Sequence, residues 1–298
     1  MKHLVWILPL ILSIILSGCN PEKPPATTLP QEITSEPTTV PTTAAPLTGW
    51  IEENGNRYYY NAEGIPVTGW LELDGSTYYF QEDGAMVTGE VTIDGTACHF
   101  TSRGKRVIIV NPWNYVPADY EPDLVSLTSA HGVEGSQVDR SCYEDLVAMI
   151  EDCNKVCPQA YVVSSYRTHE HQTSNYNRKV EYYVNLGYDR ASAEKEAATI
   201  IAIPGTSEHQ LGLAVDIIDS RLWALEWEQA DLPAQKWLME NCWRYGFILR
   251  YPKDKTDVTG IIYEPWHYRY VGHELAAELH ALGLTLEEYI HSLTDAVG

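Results

Sequence analysis

Hydrophobic positions fall into four successive rhythms along the 298 residues. From Leu4 to Leu16 they are almost unbroken, and from Asn20 to Leu47 they thin out among proline and threonine. Between Thr48 and Val107 they come as short β-prone runs parted by glycine turns, and beyond Val107 helical and strand-like periods interleave. The first run follows Lys2 and is shorter than the roughly 20 residues that a membrane-spanning helix needs, so it reads as the core of a signal peptide over residues 1–18. The Pro/Thr-rich stretch has little to bury and predicts an extended stalk over residues 19–47.

The third rhythm is an internal repeat with a period of 20, in which Thr48, Thr68 and Thr88 align, as do Gly55, Gly75 and Gly95. Each copy sets an Asn-Gly or Asp-Gly pair between two β-prone runs, which predicts a hairpin. One hairpin is marginal alone, so the copies are expected to stack as a short β solenoid over residues 48–107. The third copy departs from the pattern: Glu90 stands where the tryptophan belongs, and Cys98-His99 replace a tyrosine pair, which suits a cap.

In the last segment, residues 108–298, the periods predict helices at Tyr143–Val156, Glu170–Leu186, Ala191–Ala202, Ala234–Tyr245 and His273–Leu282. Strands are predicted at 160–165, 213–218, 247–250 and 267–270. Their irregular alternation implies an α+β domain with a small, largely antiparallel sheet and flanking helices.

The formal charge of −21 argues against a nucleic-acid partner, which needs a basic footprint. Apart from Cys19, five cysteines remain: Cys98, Cys142, Cys153, Cys157 and Cys242. They show no CxxC spacing, and their number is odd, so no disulfide pairing follows from the sequence. Cys142 or Cys242 as a nucleophile beside a histidine is one enzymatic reading left open.

A sharper one lies in "SEHQLGLAVD", Ser207 to Asp216, followed downstream by "EPWH", Glu264 to His267. His209, Asp216 and His267 would supply two imidazoles and a carboxylate, the three protein ligands of a catalytic zinc with one open position for water. Asp216 sits in an apolar strand, where a lone carboxylate is costly unless it is paired or metal-bound. Pro265 biases Glu264 toward extended backbone, so Glu264 is expected on the loop leading into a strand that begins at His267. There it is available as a base.

These motifs, with "VNPWN" at Val110, "SSYRTHEHQ" at Ser164, "YGFILRYP" at Tyr245 and "YEPWHYRYVGHELA" at Tyr263, resemble the VanY-type D-alanyl-D-alanine carboxypeptidases. Those are zinc peptidases related in fold to lysostaphin-type and hedgehog domains, and the likeness spans roughly residues 110–285. The resemblance implies one zinc per chain on His209, Asp216 and His267, with Glu264 as general base and then acid. It also implies that Arg167 stabilises the oxyanion and that Ser207 and Gln172 contact substrate, a peptidoglycan stem peptide losing its terminal D-alanine. An L,D-carboxypeptidase acting on tetrapeptide stems, or a non-catalytic wall-binding module with structural zinc, are the alternatives.

The repeats resemble choline-binding and glucan-binding cell-wall modules, in which Trp and Tyr stack on a sugar or cage a quaternary ammonium. Trp50, Tyr58, Tyr59, Trp70, Tyr78 and Tyr79 match that aromatic pattern. "LSGC", ending at Cys19, resembles a bacterial lipobox. It implies a lipidated Cys19 and an extracytoplasmic lipoprotein held on the membrane by its acyl chains, facing the wall.

Overall fold

The computed structural model describes residues 46–116 and 120–295; the expected signal peptide, Cys19 and all but the last two residues of the expected stalk lie outside them. The described residues after Ala45 belong to one compact unit. None of its helices is long and apolar enough to cross a membrane.

Three hairpins open the chain: β1 (Gly49–Glu53) with β2 (Asn56–Tyr60), β3 (Gly69–Leu73) with β4 (Ser76–Phe80), and β5 (Gly89–Ile93) with β6 (Thr96–Phe100), to which β7 (Arg106–Val107) adds. Their turns carry positive φ at both central residues, 51° and 81° at Asn54-Gly55 in the first. That is the type I′ geometry that Asn-Gly and Asp-Gly pairs favour. Trp50 lies directly across from Tyr59, and its ring also meets Tyr78 of the next repeat at a centroid distance of 5.1 Å. Trp70 repeats the contact on Tyr79, at 5.0 Å, and on Phe100, at 6.0 Å.

The third copy is the one that meets the rest of the molecule. Gly89 packs on Leu293, and the Ser102 amide donates to the Tyr289 hydroxyl at 3.1 Å. Arg103 and Lys105 pair with Glu274. The loss of its tryptophan therefore coincides with a change of neighbour, from another repeat to a helical layer.

Beyond a short hairpin of β8 (Leu124–Ser126) and β9 (Gln137–Asp139) come α1 (Arg140–Val156), β10 (Ala160–Ser164), α2 (His169–Asn185) and α3 (Arg190–Ala198). They are followed by β11 (Ala214–Asp219), α4 (Pro233–Asn241), β12 (Phe247–Leu249), a single turn α5 (Thr256–Thr259), β13 (His267–Tyr270), α6 (His273–Leu282) and α7 (Leu286–Asp295). The sheet order is β10-β11-β13-β12, antiparallel throughout, as the α+β expectation required.

α1 buries Cys142, Leu146, Met149, Ile150 and Cys153, a stripe at helical spacing, against Val162, Val215, Ile217 and Tyr268 of the sheet. Side chains alternate along a strand, so Val215 and Ile217 face this core while Asp216 faces away from it. A second core joins Val107 and Ile109 to Leu275, Leu279, Leu286 and Tyr289, sewing the last strand of the repeats to α6 and α7.

Two elements differ from expectation. The helix expected to reach Ala202 ends at Ala198, capped by Thr199, which frees residues 200–202 to line a cleft. The helix expected through Tyr245 gives way at Cys242 to a tighter 3-10 turn, closed by Gly246 at φ 76°.

Candidate active site

The sheet register assembles the site. Asp216 in β11 lies directly opposite His267 in β13 and opposite Ser164 at the end of β10, so the three share one face. His209 arrives from a 3-10 turn, Glu208–Leu211, just before β11. Gly212 ends that turn at φ 72°, and a Cβ there would come 2.9 Å from the Asp139 amide nitrogen, so only glycine fits.

His209, Asp216 and His267 are all buried, and one ligand atom from each lies within 4.8 Å of the others. His209 Nε2 is 3.4 Å and His267 Nδ1 is 3.1 Å from Asp216 Oδ1. Atoms held about 2.0–2.2 Å from a zinc ion at tetrahedral angles lie about 3.3–3.6 Å apart, so the donor set fits with little adjustment. The far nitrogen of His209, Nδ1, is 2.8 Å from the carbonyl of Ser165, an acceptor that holds the hydrogen there and leaves Nε2 with its lone pair toward the cluster.

Electrostatics follow from this crowding. Burial brings the His209 pKa down to about 4. At His267 the same burial is outweighed by the carboxylates of Asp216, 3.1 Å away, and Glu208, 3.6 Å away, and its pKa rises to about 9. Asp216 stays ionised in spite of burial because His209, His267 and Arg167 surround it. A divalent cation competes with protons for the two imidazoles, since only the neutral ring coordinates.

Glu264 sits three residues before His267, on the loop expected from Pro265, with Oε2 3.7 Å from His267 Nδ1. Burial, reinforced by the charge of Asp216, pushes its pKa up to about 8. Arg167 follows β10 and closes the opposite side: its guanidinium donates to Asp216 Oδ2 at 2.8 Å and to the Ser164 hydroxyl at 2.8 and 3.0 Å.

These groups line a cleft of about 190 Å³ together with Ser207, Ile200, Ile201, Leu225, Tyr251, Ile261 and Trp266. A larger groove of 920 Å³ lies between the third repeat and the Trp113–Tyr115 segment, but it holds none of these side chains.

Six of the seven residues expected at the site line the cleft: His209, Asp216, His267, Glu264, Arg167 and Ser207. Gln172 does not line it. Its side chain is fully buried behind Arg167, accepting from the guanidinium at 3.3 Å and donating to the Ala202 carbonyl at 2.7 Å. Its placement is that of a brace for Arg167 rather than a substrate contact.

Sequence reasoning passed over Glu208, Arg250 and Arg269, a buried charge cluster beside His267. The available signal was three charged residues embedded in otherwise apolar motifs.

The cysteines take no part. All five among the described residues are free, and burial raises the thiols of Cys142 and Cys242 to about 12, which removes the cysteine-nucleophile reading.

Two imidazoles and one carboxylate, with an adjacent buried glutamate, on a small antiparallel sheet form a donor set that could hold one metal ion. Comparison with known proteins refines it. The model of the VanY D-alanyl-D-alanine carboxypeptidase family matches residues 135–273, and that of the choline-binding repeat matches residues 47–88 and 67–108.

A D-alanyl-D-alanine carboxypeptidase of Enterococcus faecalis is 42% identical over 186 residues, 62% of this chain; the chain spans 66% of that relative, just under two thirds of its length. A solved structure of a vancomycin-resistance D,D-pentapeptidase VanY in complex with Zn(II) is 41% identical, with a TM-score of 0.54, covering 61% of this chain and 97% of that one. The LdcB L,D-carboxypeptidase structure is 31% identical, with a TM-score of 0.56, covering 69% of this chain and 94% of that one. The chain belongs to the VanY family.

Proposed function

We propose that the protein is a zinc-dependent carboxypeptidase that removes the terminal D-alanine from peptidoglycan stem peptides. The observation that carries this reading is the meeting of His209, Asp216 and His267 with Glu264 and Arg167 in one small cleft. A structural metal would need neither the base nor the cation, which weighs against the non-catalytic module. The zinc of the related VanY structure supports the choice of metal.

When bound, zinc polarises the scissile carbonyl and lowers the pKa of water toward about 7. The rest of the work falls to the chain. His209, Asp216 and His267 would hold the ion. Glu264 accepts the proton of the attacking water and hands it to the departing amine, a task its raised pKa suits. Arg167, held by Ser164 and Gln172, offers a fixed cation to the negative charge that develops on the carbonyl oxygen. Ile200, Ile201, Leu225 and Ile261 give the cleft an apolar wall, which suits the methyl group of D-alanine. Ser207 is placed to contact the peptide.

We favour the D,D bond over the L,D bond because the more identical relatives are D,D enzymes. The assay is to incubate the zinc-loaded protein with penta- and tetrapeptide muropeptides, free and C-terminally amidated, and follow D-alanine by mass spectrometry. Release from the free pentapeptide is expected. Tetrapeptide-only release would assign the L,D bond, and equal release from amidated ends would remove the exopeptidase reading.

The choline-binding-type repeats support a location outside the cytoplasm on a wall polymer of choline or glucan type, and Cys19 is the proposed lipid anchor. In the hairpins the Arg57 guanidinium lies 4.4 Å from the Trp50 ring centre and that of Arg106 5.1 Å from Trp70, so those ring faces already receive a cation. A quaternary ammonium would have to displace them.

A further inference from the structure

Glu208 precedes His209 in the same 3-10 turn, yet it does not line the cleft. Its side chain is wholly buried between two arginines that are buried as well. One oxygen, Oε1, accepts from Arg250 Nε at 2.8 Å and from Arg269 at 2.8 Å. Arg250 in turn grips Glu287 of α7 with both terminal nitrogens, at 2.8 and 2.6 Å, so two cations balance two carboxylates. The other oxygen, Oε2, is buried and has no hydrogen-bond partner, and the same is true of His267 Nε2. These two atoms are 3.6 Å apart.

A buried donor or acceptor left unmatched is destabilising, a charged one more so, and the pair therefore has reason to close the remaining gap. Both arginines donate to the Glu208 carboxylate through Oε1, and a carboxylate paired in this way can only accept at its other oxygen. A neutral imidazole carries one hydrogen and one lone pair, and whichever nitrogen is engaged decides the role of the other. His267 Nδ1 is the nitrogen on the cleft side, 3.1 Å from Asp216.

We propose that Glu208 is the positioning residue of His267: its free oxygen accepts the Nε2 hydrogen, which orients the ring and reserves the Nδ1 lone pair for the metal. The inference rests on reading His267 as a metal ligand and adds to it a specific support. His209 has a carbonyl in the same role, that of Ser165, so each imidazole is braced from behind by a different acceptor. The carboxylate brace is anchored through Arg250 to the C-terminal helix, beyond the span of the two motifs that hold the ligands.

The competing account is that Glu208 merely neutralises Arg250 and Arg269. Full-length Glu208→Gln and Glu287→Gln separate the two, because both remove a charge from the arginine cluster but only the first faces His267. Zinc affinity is measured by chelator competition on folded protein, and the His267 Nε2 hydrogen by ¹H–¹⁵N NMR of the zinc-loaded chain. Glu208→Gln is expected to weaken zinc binding about 10- to 100-fold, the usual effect of losing such a partner. Glu287→Gln is expected to keep wild-type affinity while lowering stability.

In the wild type the Nε2 hydrogen should be protected from exchange. A folded Glu208→Gln protein with wild-type zinc affinity would overturn the proposal. So would an unprotected Nε2 hydrogen in the zinc-loaded wild type, which decides the matter even if the variant fails to fold. A wild-type chain that takes up no zinc would overturn the metal reading first, and this one with it.

Discussion

At the scale of single residues, the proposed mechanism separates holding a metal from moving a proton. Glu264 is buried beside the ligands but is not one of the three that converge. Glu264→Gln should therefore keep the fold and the zinc while losing about 10²–10⁴-fold in kcat, the range for a general base. Metal analysis and steady-state kinetics on one preparation check this, and wild-type turnover would remove Glu264 from the mechanism. Burial lifts the Cys142, Cys153 and Cys242 thiols to about 12, so almost no thiolate forms between pH 7 and 9. Iodoacetamide at pH 8 should leave these three unmodified in the native protein and label them after denaturation, with peptide mass mapping as the readout.

At the scale of elements, the chemistry depends on strand register. A shift of β13 by one residue would turn His267 into the core and Tyr268 toward Asp216, since faces alternate along a strand. The turn before β11 is held as tightly. Gly212→Ala places an L residue at φ 72° and a Cβ 2.9 Å from backbone, which should cost at least about 1–2 kcal/mol. The expected observation is a lower urea midpoint at unchanged slope, with weaker zinc binding because His209 sits in the displaced turn.

At the scale of the whole molecule, the repeats are more than a tether. Their last strand contributes Val107 to the core of α6 and α7, and Gly89 and Ser102 pack on α7 itself. A chain truncated to begin at residue 108 should be less stable, by at least about 1.5–3 kcal/mol from the loss of Val107 burial alone. Urea unfolding of the truncated and full chains compares them directly. Wall binding is better tested by point changes: Trp70→Ala should reduce retention on purified walls while turnover on soluble peptides stays at the wild-type rate. Unchanged retention would leave Trp70 as core only, packed on Tyr79 and Phe100.

What could be read from the sequence was whatever is local or periodic. The type I′ turns follow from Asn-Gly and Asp-Gly pairs, the main helices and strands from their spacing, and the candidate metal ligands from two histidines and an aspartate set among apolar residues. Three things needed the tertiary structure. Gln172 braces Arg167 because the early end of α3 brings the Ala202 carbonyl within its reach, which no helical period foretells. Glu208 faces His267, 59 residues on, only because β11 and β13 pair in one register. The junction of Gly89 with Leu293 joins the third repeat to α7, and pairing at that distance is decided by packing of the whole core rather than by any local preference of the backbone.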